Sequence, residues 1–326
     1  MKSRRILHVI SHTHWDREWY FPFEYFRFRM VELIDRLMAI LDEDDTFKHF
    51  YLDGQTVLLE DYAAIRPKKT DALLRLIGEG RVQTGPWYTA TDENLVSGES
   101  LIRNLLIGLS SAHKHGIPSM VGYLPDQFGH VSQMPQILNG FGIKYAVIGR
   151  GLNRNQHNNE FYWESDEGSR VLGVFLNTWY NNACDIPRSP EAAAAFLTKA
   201  ADEVARTNAT NHILLMNGVD HLEPQPELGK ILSRAALLMP DTLVHDTLDK
   251  ALDAISAAVP EDLELFRGEL REDYGGRLDS GVISARMPLK LANFSVTSHI
   301  ERVAEPLAAI ARVVTGTDFG DFLVHA

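Results

Sequence analysis

An alternation of two kinds of segment constrains this chain more than any other feature. Short apolar or β-branched runs recur along it ("ILHVI", "HFYL", "RVQTGPW", "MVGYL", "KYAVIG", "VLGVFL", "HILLM" and a weaker "TLVH"). Between most of them lie amphipathic stretches such as "RMVELIDRLMAILDED", "SLIRNLLIGLSSAHKHG" and "SPEAAAAFLTKAADEVARTN". The short runs have strand length, whereas the longer stretches carry apolar residues at the three- and four-residue steps of a helix. The last of these opens on a serine cap with proline at the first helical position. Strand, helix, strand in series predicts a parallel sheet covered by helices, and seven or eight such units close into a barrel. From about Pro260 the alternation gives way to a loop and long helices, with Leu291, Phe294, Ile300, Val303 and Leu307 at mixed three- and four-residue steps. The expected organisation is an α/β barrel over residues 1–259 and the beginning of a helical domain over 260–326.

At 326 residues the chain is long enough for that arrangement and buries a sizeable core. The formal net charge of -12, from 32 Lys and Arg against 44 Asp and Glu, argues against nucleic acid or an anionic membrane as partner. Cys184 is the single cysteine, so no internal disulfide forms, which suits a reducing compartment. The N-terminal apolar run "ILHVI" is too short for a signal peptide, and no run approaches a membrane span, so a cytoplasmic location is expected. The apolar face of the helical tail needs a cover, and self-association is one way to supply it.

In parallel α/β folds the chemistry sits beyond the carboxyl ends of the strands. Here "SHTHWD" follows "ILHVI", "PDQFGH" follows "VGYL" and "NGVDH" follows "HILLM", so three strand ends present His and Asp. His14 and Asp16 are two apart and face the same side of an extended segment. Asp126 and His221 complete a two-His, two-Asp set of the kind that suits zinc, with manganese or cobalt as substitutes. A lone histidine at a strand end is more often structural, and His8, His113, His115 and His245 are assigned that role. Trp15, Trp19, Tyr20, Trp87, Tyr88, Phe128, Trp179 and Tyr180 lie in or beside these polar segments, where an aromatic ring stacks on the apolar face of a sugar. A glycosidase needs two carboxyl groups. Asp126, on a short turn after Pro125, is the expected nucleophile, and Asp220 and Asp185 are the candidates for the acid.

The blocks "HTHWDREWY", "YLDGQT", "GPWYTATDENLVSGESLIRNL", "GYLPDQFGH", "MNGVDH" and "GELRE…ISARMPLKLAN" stand in this order over nearly the whole chain. Together they resemble the glycoside hydrolase family 38 α-mannosidases of the bacterial branch. The resemblance implies a seven-stranded β/α barrel of the glycoside hydrolase/deacetylase type, one zinc per chain, and retaining hydrolysis of mannose-containing oligosaccharides or mannosides through a covalent mannosyl-aspartate. It implies His14 and Asp16 as the metal-binding pair, Asp126 as the nucleophile that also touches the metal, and Trp19 and Phe128 as sugar contacts. Asp220 matches the usual acid/base and Asp185 a residue that binds sugar hydroxyls, with the reverse order as the alternative. Many members place a histidine upstream of the segment that corresponds to "GVISARM"; none stands there, so His221 is the expected fourth ligand and Asp279 the alternative. Members usually continue into large β-rich domains, which makes this chain resemble a truncated form whose metal binding survives better than its activity. The competing readings are a metal-dependent carbohydrate deacetylase, in which Asp126 is a base, and an inactive carbohydrate-binding fragment.

Overall fold

A computed structural model describes residues 4–273 and 277–320. Among the described residues there are ten strands and ten α-helices, mostly in alternation. The strands are β1 (Ile6–Thr13), β2 (Phe50–Leu52), β3 (Val82–Gln83), β4 (Val121–Leu124), β5 (Tyr145–Ile148), β6 (Glu160–Glu164), β7 (Arg170–Phe175), β8 (His212–Asn217), β9 (Thr242–His245) and β10 (Leu265–Arg267). The helices are α1 (Phe23–Glu43), α2 (Val57–Ile65), α3 (Thr70–Gly78), α4 (Gly98–His113), α5 (Met134–Gly140), α6 (Pro190–Val204), α7 (Leu228–Ala235), α8 (Leu248–Ser256), α9 (Met287–His299) and α10 (Glu305–Thr315). Ser189 caps α6 by accepting a hydrogen bond from the Ala192 amide at 3.2 Å, with Pro190 in the first turn, as the sequence predicts.

The strands form two sheets. One runs β3-β2-β1-β8, with β9 also on β1; the other runs β10-β6-β7-β5-β4. All pairings are parallel except β6 with β7. The sequence predicts one closed seven-stranded barrel; among the described residues the hydrogen-bonded ladders do not close, and the fold is a mixed α/β arrangement of two mainly parallel sheets. The short β3 is one reason, because only Val82 and Gln83 pair within "RVQTGPW". Side chains bridge the gap instead: Tyr51 of β2 meets Tyr123 of β4 edge to face at 5.1 Å, and the Trp87 indole N–H donates to the Tyr123 carbonyl at 3.1 Å.

One apolar cluster joins both sheets, with Ile10 and Tyr51, Val121 and Tyr123, Val147, Leu172 and Val174, and Leu214 and Met216. A second cluster packs α1, α2, α3, α6 and α7 on the first sheet, using Leu7, Val9, Ile213 and Leu215. Consecutive residues of β1 therefore serve opposite faces, with His8, Ile10, His12 and His14 on the side of the shared cluster. The segment from 260 onward, assigned by sequence to a second domain, begins with β10 paired to β6 and with Leu270 bridged to His130. Its helices leave Leu289, Leu291, Phe294, Val303 and Leu307 exposed, and they touch α4 through Ser97–Glu301 and Arg103–Glu305 pairs. Residues 274–276 and 321–326 of that predicted domain lie outside the described residues. No helix among the described residues is long and apolar enough to cross a membrane.

Candidate functional site

The end of β1 is the floor of the site. Beyond Thr13 the chain keeps its pairing with the segment after β8: the His14 amide donates to the Val219 carbonyl at 3.3 Å and the His221 amide to the His14 carbonyl at 2.8 Å. This approach requires Gly218, where a Cβ would lie 2.0 Å from the His12 carbonyl oxygen. His221 then adopts a left-handed φ of 54°, a local turn that frees its ring from the strict alternation of a strand. The ring stacks on Phe26 of α1 at 4.2 Å and meets Trp15 edge to face at 4.8 Å.

Four predicted side chains come together. His14 Nε2 lies 3.7 Å from Asp16 Oδ1 and 3.6 Å from Asp126 Oδ2, and His221 Nε2 lies 3.8 Å from Asp16 Oδ2. His14 Nε2 is buried without a hydrogen-bond partner, as is His221 Nδ1. Ligands about 2 Å from a shared tetrahedral ion stand roughly 3.3 Å apart, so the spacings are slightly expanded. Correspondingly, no three His, Cys, Asp or Glu side chains among the described residues form a ready-made shell. The donor set still fits a cation, because a buried imidazole nitrogen aimed between two carboxylates has no protein partner to satisfy it.

His14 is oriented by a residue to which sequence reasoning assigned no role. Asp53, buried after β2 with φ 47°, accepts from His14 Nδ1–H at 3.1 Å, from the Trp15 amide at 2.8 Å and from Gln55 Nε2 at 2.8 Å. This fixes the tautomer that leaves Nε2 unprotonated when the ring is neutral. Burial lowers the His14 pKa, but Asp53, Asp126 and Asp16 around it outweigh that and raise it well above the ordinary value. Burial raises that of Asp16, and His14 and His221 overcome it in the opposite direction. Burial pushes the His221 pKa down; burial also lowers that of His12, in its case to about 4.

Asp126 follows β4 on Pro125, and Arg150, just beyond β5, donates to its Oδ1 at 2.6 Å. The two strand ends are close because Gly149 has no side chain; a Cβ there would lie 1.8 Å from the Pro125 carbonyl oxygen. Arg150 also pairs with Asp279 at 2.9 Å, so this alternative ligand is exposed on the far side of the arginine from Asp126. Asp220 accepts from the Tyr180 hydroxyl at 2.8 Å, and the Tyr180 ring stands 5.2 Å from that of His14. Asp185 is exposed, with φ 52°. Phe128 lies half-buried under the Arg150 guanidinium at 4.9 Å, its amide held by Asp92, whose pKa burial raises. Trp19 is 59% exposed. Trp15 and Trp87, expected as substrate contacts, are 3% and 2% exposed and pack into the core clusters, where their rings fill space behind the strand ends. His8, His113 and His245 have the structural hydrogen bonds assigned to them.

Asp53, Arg150 and Asp92 were missed as site residues. A signal existed for two of them, since "LDG" and "VIGR" follow apolar runs as "SHTHWD" does.

Comparison with known proteins gives a consistent result. Residues 5–269 match the family description "Glycosyl hydrolases family 38 N-terminal domain". A Halalkalibacterium halodurans protein named "Putative mannosylglycerate hydrolase" is 37% identical over 323 residues, 94% of this chain and 36% of that one. The crystal structure of an alpha-mannosidase from Enterococcus faecalis V583 superposes with a TM-score of 0.93 at 37% identity, covering 99% of this chain and 37% of that one. Mouse "Alpha-mannosidase 2C1" is 28% identical over 179 residues, 53% of this chain and 17% of that one. The chain thus spans little more than a third of the length of the bacterial relatives.

Proposed function

Because the chain belongs to glycoside hydrolase family 38, we propose that it forms the metal-binding catalytic part of a zinc-dependent, retaining α-mannosidase. The observation that carries this reading is the unpartnered, buried His14 Nε2 aimed between Asp16 and Asp126. His14, Asp16, Asp126 and His221 are the residues to hold one zinc ion. Bound there, the ion supplies positive charge that grips sugar hydroxyls and keeps carboxylates ionised.

The chain's own residues carry the reaction. Asp126, oriented by Arg150, attacks the anomeric carbon while Asp220, held by Tyr180, protonates the departing glycosidic oxygen. The bond to the leaving group breaks as the mannosyl-aspartate ester forms. Asp220, now a carboxylate, takes a proton from water, whose oxygen displaces Asp126 and returns it as a carboxylate, with retention of configuration. Trp19 and Phe128 offer ring faces to the sugar, and Asp185 is a hydroxyl contact from its exposed turn. The two sheets, which share one apolar cluster, are read as the inner wall of a seven-stranded barrel assigned to residues 1–259, to which β10 (Leu265–Arg267) adds a strand from the segment that leads into the helical domain. The relative's name suggests a small, acidic α-mannoside as substrate.

The test is trapping. An activated fluorinated mannosyl donor given to the zinc-loaded chain should raise its mass by one sugar, on the peptide that contains Asp126, and leave Asp126→Asn unlabelled. A label on another carboxylate contradicts the assignment.

A further inference from the structure

The block "PDQFGH" beyond β4 presents an aspartate and a histidine, and the proposed chemistry uses only the first. His130 stands four residues past Asp126 and is fully buried, and its Nδ1–H donates to Glu93 Oε1 at 2.7 Å. Glu93, itself 3% exposed, accepts from the Val131 amide with its other oxygen at 2.9 Å. The residues on either side of Glu93 reach the same loop. Asp92 Oδ1 accepts from the Phe128 amide at 3.2 Å, and Asn94 Nδ2 donates to the Gly129 carbonyl at 3.4 Å. Three consecutive residues between β3 and α4 thus hold four consecutive residues, Phe128 to Val131, of the loop that carries Asp126.

A second segment holds the same loop. His130 and Leu270 exchange backbone hydrogen bonds, each at 3.0 Å. Gly129, at φ 98°, is so closely surrounded that a Cβ would lie 3.2 to 3.3 Å from atoms of Arg271, Leu270 and Leu278. One atom in this arrangement is costly, because His130 Nε2 is buried without a hydrogen-bond partner. Apolar side chains in place of both His130 and Glu93 would avoid that cost. What such a pair lacks is direction: hydrogen bonds fix the angle and distance at which two segments meet, and apolar packing fixes them less closely.

We propose that Glu93 is a positioning residue for the nucleophile: through His130 and Val131, and with Asp92 and Asn94 beside it, it sets where Asp126 stands for attack on the anomeric carbon. The inference rests on the mannosidase reading above and extends it to two buried side chains that reach the chemistry only through the loop. An attacking carboxylate must stand about 3–3.5 Å from its carbon, and a displacement near 1 Å costs on the order of 100-fold in rate. Arg150 orients the Asp126 carboxylate from β5, whereas the clamp fixes the backbone from which that carboxylate projects.

The test measures the rate at which an activated fluorinated mannosyl donor labels Asp126 in the zinc-saturated chain, as a function of donor concentration, with unfolding midpoints recorded alongside. His130→Phe keeps a ring of similar volume and removes the donor; His130→Asn gives up the ring and keeps an N–H close to the place of Nδ1. The limiting rate should fall about 10- to 100-fold in His130→Phe, with little change in the half-saturating concentration, and His130→Asn should recover most of it. Asp92→Ala, at a half-buried position, should slow labelling in the same way by releasing the Phe128 amide, and it decides the matter alone if His130→Phe does not fold. Wild-type rates in folded His130→Phe or Asp92→Ala overturn the inference and leave the mannosidase reading standing. So does a slower rate in His130→Asn than in His130→Phe, which is the order expected if the ring only fills space. A wild type that takes no label overturns the mannosidase reading and the inference with it.

Discussion

Asp53 shows how much of a site one side chain decides. Three donors, from His14, Trp15 and Gln55, face its two oxygens. Asparagine in its place sets an amide N–H₂ against at least one of these donors and loosens the His14 tautomer. Asp53→Asn should therefore weaken zinc affinity by about 10- to 100-fold and cost about 1–3 kcal/mol of stability; competition with a chromogenic chelator reads the first and denaturant unfolding the second. Unchanged zinc affinity would remove Asp53 from the account. At this scale the sequence showed residue types at strand ends well, which is why it singled out His14, Asp16, Asp126 and His221, side chains that the fold brings near one another. It showed exposure poorly: Trp15 and Trp87 stand in the same polar segments as Trp19, and only packing separates the buried pair from the exposed ring. Orientation was hidden too, since the left-handed turn at His221 and the hold of Arg150 on Asp279 depend on neighbours remote in the chain.

Among elements, the ends of β4 and β5 are joined where Gly149 meets Pro125. Gly149→Ala must part them, because the added Cβ would lie 1.8 Å from a carbonyl oxygen. We expect a loss of about 1–3 kcal/mol and, as Arg150 moves off Asp126, weaker mannoside binding; a variant with wild-type unfolding midpoint and binding would show that the contact relaxes harmlessly. A second test concerns the segment between β5 and β6, which is tied to β10 through His157. This ring meets Glu264 at 2.6 Å and Glu272 at 3.0 Å. Burial lowers its pKa, but the two carboxylates outweigh burial and raise it. The folded-state value is above the unfolded one of about 6.5, so the stabilisation is complete below that pH and is lost as pH rises through the folded value. The stability difference between wild type and His157→Gln should be largest near pH 6 and shrink toward higher pH; a difference that grows with pH contradicts the clasp. The tie was not legible because β6 was not: "EFYWE" begins and ends on glutamate, and its antiparallel partner β7 follows through a tight turn containing Gly168. That pairing interrupts the strand-helix alternation from which the other strands were read.

For the molecule as a whole, hydrophobic alternation was enough to give a parallel α/β fold with its chemistry at the strand ends, because burial on both faces of a parallel strand leaves a continuous apolar run. Closure was not legible, since it depends on which edges meet, and here Tyr51, Tyr123 and Trp87 fill the gap that no ladder spans. The helical tail was legible as helix, and its exposed apolar residues show that propensity alone does not supply a partner surface. All of this serves one claim, that the ends of β1, β4 and β8 are brought together to hold a metal ion with which a mannoside is engaged. The direct measurement is the zinc content of the purified chain by elemental analysis, for wild type, His14→Ala, His221→Ala and Asp279→Ala prepared in parallel. The account predicts close to one zinc per chain in wild type and Asp279→Ala, and loss in His14→Ala and His221→Ala. A wild-type chain without zinc after loading, or one that keeps it when His14 is removed, would contradict it.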